Sequence, residues 1–242
     1  MEPKTGYLIL ALLNGTLGFM LWYALSSSLK LPKSFQIQYD INRSYFNRIL
    51  RRRFAGFLIY GAVPLVLILK FKLIKGLDFE DLGISFSLNS EVVTWVAILL
   101  PITLVLNFFS ARSRETLVNY PEIRVAIWTP RLLIVSALFW IMYLVAMEFL
   151  YRGLILQALY MNTESVFWTV LISAGIYSMI HYFKDNRISV MSFPYGLLMA
   201  YVTLESGSLW PTIMVHVIGG LVTEWLAIRR HPETKIQSQL YH

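Results

Sequence analysis

The chain predicts an all-α fold, a polytopic membrane helix bundle of about seven transmembrane segments. Three observations lead there. Hydrophobic residues fill 57% of the 242 positions and charged residues only 14%, against about 25% charged in soluble domains. Mean hydropathy is +0.58, more apolar surface than one soluble core of this size can hide. The apolar residues also gather in seven runs, roughly 7–26, 54–74, 91–109, 131–158, 166–183, 189–204 and 209–228. These approach the ~20 residues needed to cross a bilayer.

The first run follows a short segment with a single lysine, Lys4, and has no small-x-small cleavage site. It is expected to be a retained helix, not a removed signal peptide. The connection 27–53 carries Lys30, Lys33, Arg43, Arg48 and the triplet Arg51, Arg52 and Arg53. Its stretch 31–50 mixes aromatic and basic residues, and two readings stand: an interfacial helix on an anionic leaflet, or a solvated basic loop. Pro64 and Pro101 are expected to kink the second and third helices. The sixth run is short and holds Pro194 and Gly196, which suits a tilted or partly re-entrant helix buried within protein. The tail from His231 is expected to be poorly ordered.

Charge placement sets the orientation. Sixteen of the 21 Lys and Arg residues fall on one set of alternate connections. The positive-inside rule makes that side cytoplasmic, with the N-terminus outside and the C-terminus inside. The expected location is a bacterial inner (cytoplasmic) membrane. The net charge of +7 is then largely a matter of topology, so no nucleic-acid partner is expected. Membrane lipids and a membrane protein or peptide are. With no cysteine, disulfides, thiolate metal sites and a cysteine nucleophile are excluded. The expected organisation is 1–110 as N-terminal helices with the basic loop, 111–230 as a core, and 231–242 as a polar tail.

Five ionisable residues sit in or beside apolar runs: Glu148, Arg152, His181, His216 and Glu224. A charge at a membrane helix centre costs about 2.5–3.5 kcal/mol on insertion scales, so each marks a candidate functional site. Glu148 and Arg152 close an uncharged run, Leu132 to Met147, and at four residues apart share a helix face. An ion pair that only locks helices together accounts for them equally well. Gly153 leaves room for a neighbouring helix. His181 ends the fifth run with Tyr177 one turn earlier, which also fits a cap or an interfacial group. His216 lies two turns inside an apolar helix, too deep for imidazole to reach water, so it needs a partner or a wet cavity. Glu224 is two turns further on, nearer the cytoplasmic end, and an interfacial position explains it. A carboxylate with a His can deprotonate water, and a second His can stabilise an oxyanion. Two His and a Glu could instead hold zinc with an open position, but no HExxH or other local metal motif supports that, and no cofactor is expected.

At these residues the chain resembles the CAAX-protease and bacteriocin-processing (CPBP, or Abi) family of intramembrane proteases. That family carries EExxxR, FxxxH and HxxxN motifs on three core helices. Glu148 matches the second Glu, Arg152 the Arg, and Gly153 the glycine that follows it. His181 matches the second-motif His, with Tyr177 in the Phe position, and His216 matches the third-motif His. The contexts Pro194-Tyr195-Gly196 and Gly207 to Pro211 also look like the family. The resemblance spans about 120–228 and implies a core in the last four helices. It further implies intramembrane endopeptidase chemistry, with Glu148 and His181 activating water, His216 holding the oxyanion, and Arg152 and Tyr177 in support. Two positions depart from it. Met147 stands where the family has its first Glu, the water-activating base. Gly220 stands where it has Asn, an oxyanion donor. Losing a general base costs roughly 10²–10⁴-fold and an oxyanion donor roughly 10²–10³-fold. The resemblance with these losses implies a pseudoprotease that binds a membrane partner. The alternative is an active endopeptidase in which a helix rotation of about one residue, roughly 100°, re-aims Glu148.

Overall fold

The computed structural model describes residues 3–26, 39–70, 76–85, 88–181 and 186–237. Expectations placed on 31–38 and on Lys30, Lys33, Lys72, Lys75 and Lys184 lie outside the described residues. The helices are α1 (Pro3–Ser26), α2 (Tyr39–Phe57), α3 (Val63–Leu69), α4 (Ser90–Ser110), α5 (Arg114–Asn119), α6 (Pro130–Glu148), α7 (Leu156–Thr163), α8 (Val166–His181), α9 (Asn186–Ser206) and α10 (Trp210–Arg230). Two π-helical turns, Leu58–Ala62 and Phe149–Ile155, fuse α2 to α3 and α6 to α7. The fold is thus an all-α membrane bundle.

Among the described residues, five helices are long and apolar enough to cross a membrane: Lys4–Ser26, Phe46–Leu69, Ser90–Ser110, Pro130–Thr163 and Trp210–Arg230. Two of the seven expected segments fall short by that measure. α8 is apolar but only 16 residues long. α9 has the length, 21 residues, but Ser189, Ser192, Thr203, Glu205 and Ser206 dilute it. These two pack along each other, and Ser178 and Ser189 exchange hydrogen bonds at 2.7 and 2.8 Å.

Local chemistry fixes the helix ends. Asn89 caps α4 by accepting from the Val92 amide at 2.8 Å. Thr129 caps α6, and Pro130 occupies the first turn, where a missing N–H costs nothing. Glu164, in the left-handed region at φ 51°, ends α7. In the first π turn Val63 N–H donates to Leu58 O, just ahead of Pro64, which has no N–H to give. Residues 39–50 are helical and run straight into the second span.

A loop stapled to the bundle covers the end opposite the basic connections. Asp78 accepts from the Glu80 amide at 2.9 Å and turns the chain into a short 3₁₀ helix, Glu80–Leu82. Leu82 is buried completely. Gly83 O accepts from the Leu209 amide at 2.9 Å, and Ser85 O accepts from the Trp210 indole at 2.8 Å. Gly153 is approached by this loop as well as by α1: a side-chain carbon there would lie 3.0 Å from Leu82 O and 2.9 Å from Phe149. Its carbonyl accepts from Tyr7 at 2.6 Å.

At the other end the tail departs from expectation. Lys235 and Ile236 (β2) pair in parallel with Ile127 and Trp128 (β1), with amide bonds of 2.7 Å to Ala126 O and 2.9 Å to Trp128 O. Residues 231–237 are therefore tied to the segment that leads into α6. Trp128 is wholly buried and anchors that strap.

Candidate functional site

Three helices bring the polar residues together. Glu148 ends α6 and is fully buried; Arg152 lies in the following π turn, 1% exposed. His216, two turns into α10, donates to or accepts from Glu148: His216 Nδ1 is 2.5 Å from Oε1. The other carboxylate oxygen, Oε2, stands 3.4 Å from Arg152 Nε. That is an ion contact without hydrogen-bond alignment, since no guanidinium nitrogen of Arg152 has a hydrogen-bond partner among the described residues. The guanidinium lies instead over the Tyr177 ring, 4.3 Å from its centre. Tyr177 meets His181 at 4.7 Å between ring centres. His181 Nδ1 bonds the Tyr177 carbonyl at 2.8 Å. A carbonyl only accepts, so Nδ1 carries a proton in this contact. An unbroken chain of contacts thus runs His216–Glu148–Arg152–Tyr177–His181.

These residues border a cavity of about 830 Å³. His181, His216, Tyr177, Tyr195, Met147 and Gly220 all line it, whereas Glu148 and Arg152 do not. Glu148 sits behind His216 and orients it, as a carboxylate orients an imidazole in many sites. From the His pair the cavity extends toward Ser26, Arg52 and Glu122 at the basic-loop end. Tyr195 packs edge-on to His216 at 5.8 Å.

Glu224 does not join this group. It is 2% exposed, and its Oε2 accepts from the Glu122 amide at 3.1 Å while Oε1 stands 3.5 Å from Arg53. Burial in the wall of the bundle replaces the interfacial position that the sequence suggests. Arg53 is the centre of this second cluster. It donates to Glu122 at 2.9 and 3.1 Å and to Ser136 Oγ and O at 3.0 and 3.1 Å, and it covers the Trp140 ring at 4.3 Å. Arg52 adds a 3.4 Å contact to Glu122 and lies over Trp22. Among the described residues, no group of three or more His, Asp or Glu is placed to hold a metal ion.

Met147 and Gly220 differ in kind. Met147 is 7% exposed on the wall shared with both imidazoles, so its side chain faces the cavity and supplies neither a proton acceptor nor a strong hydrogen bond. Gly220 is a packing contact. A side-chain carbon there would fall 2.8 Å from Leu144 Cδ1 and 3.3 Å from Trp140 Nε1, so α10 reaches α6 because residue 220 has no side chain. Gly220→Asn is expected to lower stability by about 1–3 kcal/mol through overpacking, read as a drop in thermal unfolding temperature in detergent. An unchanged temperature would mean the two helices do not touch there.

A family model, type II CAAX prenyl endopeptidase Rce1-like, matches residues 127–222. No curated protein and no solved structure matches the chain. The matched residues run from β1 through the first four turns of α10 and take in Met147, Glu148, Arg152, His181, His216 and Gly220.

Proposed function

From a chain whose residues 127–222 match the Rce1-like family model, we propose a homologue whose endopeptidase chemistry is lost or much weakened. It would hold a membrane peptide or protein partner in the cavity as a binding subunit or regulator. The observation that carries this is Met147. The cavity wall offers two imidazoles but a thioether beside them, and the adjacent carboxylate, Glu148, is buried behind His216 and committed to it and to Arg152. A His with no carboxylate at the water is a poor substitute for a paired base. The cavity extends to the ends of α1, α2 and α8 that adjoin the basic connections, so in the orientation of the positive-inside rule it faces the cytoplasm.

A second reading, an active endopeptidase, is favoured by one observation: His181 and His216 both line the cavity. One experiment separates the two. The protein in lipid nanodiscs is incubated with a fluorescent S-farnesyl peptide ending in a CAAX sequence, and binding and cleavage are followed together. Binding without cleavage is the expected result. It should be lost in Thr223→Trp, which fills the cavity, and largely kept in His181→Ala. Cleavage by the unmodified chain that disappears in His181→Ala would establish the second reading.

A further inference from the structure

α4 and α10 pack together, and their C-terminal ends bring two arginines to one ring. Arg112 lies two residues beyond α4, and Arg230 is the last residue of α10. The Arg112 guanidinium is 4.6 Å from the centre of Phe108 and 5.7 Å from that of Phe109. The Arg230 guanidinium is 4.8 Å from the Phe108 centre. The two charges therefore cannot stand further apart than their distances to Phe108 laid end to end. Like charges this close repel, yet neither has an ion pair among the described residues. Arg230 donates from Nη1 to Phe108 O at 2.7 Å, a use that a cation commonly finds at a helix C-terminus. Arg112 makes no side-chain hydrogen bond among the described residues, so capping does not account for it. Most of the N–H donors of the pair are left over.

The surroundings fit one kind of anion. The apolar span of α4 ends at Ser110 and that of α10 at Arg230, so the pair sits where hydrocarbon gives way to headgroups. Pro101, Val105 and Phe108 follow one face of α4, and all three are exposed, which in a bilayer means contact with acyl chains. Arg112 stands at the end of that stripe. Positive charge at the interface with apolar surface below it complements a phospholipid. One phosphate can serve both guanidiniums, because charge-assisted bonds of about 2.8 Å to two of its oxygens cover the reach between them. It neutralises one of the two positive charges. A zwitterionic lipid brings a cation of its own, so a headgroup with net negative charge fits better. We propose that Arg112 and Arg230 bind the phosphate of an anionic phospholipid whose chains lie along the Pro101, Val105 and Phe108 face of α4. None of these five residues lines the cavity, so the site is independent of the peptide-holding reading.

The test uses the full chain in detergent, titrated with phosphatidylglycerol or phosphatidylcholine, with bound lipid counted by native mass spectrometry. The unmodified chain should retain one phosphatidylglycerol at concentrations where phosphatidylcholine has left. Arg112→Gln with Arg230→Gln should weaken that retention about tenfold or more, the worth of losing hydrogen bonds to a charged group. Arg51→Gln with Arg131→Gln removes as much charge from exposed positions elsewhere and should leave retention nearly unchanged. Arg112→Gln alone breaks no side-chain hydrogen bond of the described fold and should show part of the loss, which keeps the test decisive if the double variant fails to fold. Equal losses in the two double variants would overturn the proposal, because overall charge would then suffice. So would unchanged retention in Arg112→Gln, or equal retention of the two lipids by the unmodified chain. Glycerol phosphate carries a phosphate anion without chains. If it raises the unfolding temperature as much as phosphatidylglycerol does, the ligand is a free phosphate and the lipid assignment is overturned.

Discussion

Glu148→Ala should leave little folded protein in the membrane. The change strands Arg152, whose guanidinium is 1% exposed and whose ion contact within the fold is with Glu148 at 3.4 Å. It also takes from His216 its 2.5 Å partner. Removing one member of a buried pair typically costs about 3–5 kcal/mol, a large share of the roughly 5–15 kcal/mol that holds a domain together. Arg152→Ala should cost less, because the carboxylate keeps His216. Replacing both by apolar residues of similar volume, Glu148→Leu with Arg152→Met, should recover much of the loss, since neither charge of the pair is then left buried without the other. Yield and unfolding temperature in detergent measure all three. Equal losses in the two single variants, or no recovery in the double, would mean that the pair does not act as a buried couple.

Met147→Glu should switch on peptide cleavage. Met147 is on the cavity wall with His181 and His216, so a carboxylate there would supply the base that Glu148, turned away, does not. A positioned general base is worth roughly 10²–10⁴-fold. The farnesyl CAAX peptide should then release its C-terminal fragment, detected by mass spectrometry at a rate well above that of the unmodified chain. Met147→Gln has the same size and polarity but cannot take the proton at neutral pH, and should release none. If Met147→Glu binds peptide yet cleaves no faster than Met147→Gln, the cavity is not a dormant protease site. Restoring Asn at 220 as well is a poor addition, because Leu144 and Trp140 already occupy that space.

Much of this was legible in the sequence, for a thermodynamic reason. Charges inside apolar runs must find one another, so Glu148, Arg152 and His216 announce a cluster before any coordinates. His181 was harder, because a His near a helix end has a local use, and it does bond its own Tyr177 carbonyl. Which way Glu148 faces was beyond reach. Neighbouring residues on a helix point about 100° apart, and only the surrounding helices decide whether Met147 or Glu148 meets the cavity. The Arg53 cluster was missed because its partners are 69 and 171 residues away. In a basic triplet Arg53 reads as topology charge, and Glu122 in a connection gives no periodic signal. The β1–β2 strap is likewise a pairing of two residues with two, too short to stand out from a polar tail.

The π turn at Phe149–Ile155 has a consequence for how this chain tolerates change in length. A π turn holds one residue more than the α turn it replaces, so the stretches on either side of it are phased independently. Upstream, α6 is set by α2 and α10; downstream, α7 is set by α1 and α8. Deleting a single residue within 149–155 would close the turn to α geometry. Both halves would keep nearly their present phase, whereas closing the turn with every residue kept would rotate one half by about 100° against the other, taking Glu148 off His216 or lifting α7 from its neighbours. The spare residue therefore acts as a phase adjuster, letting one continuous helix satisfy two sets of partners whose preferred registers disagree.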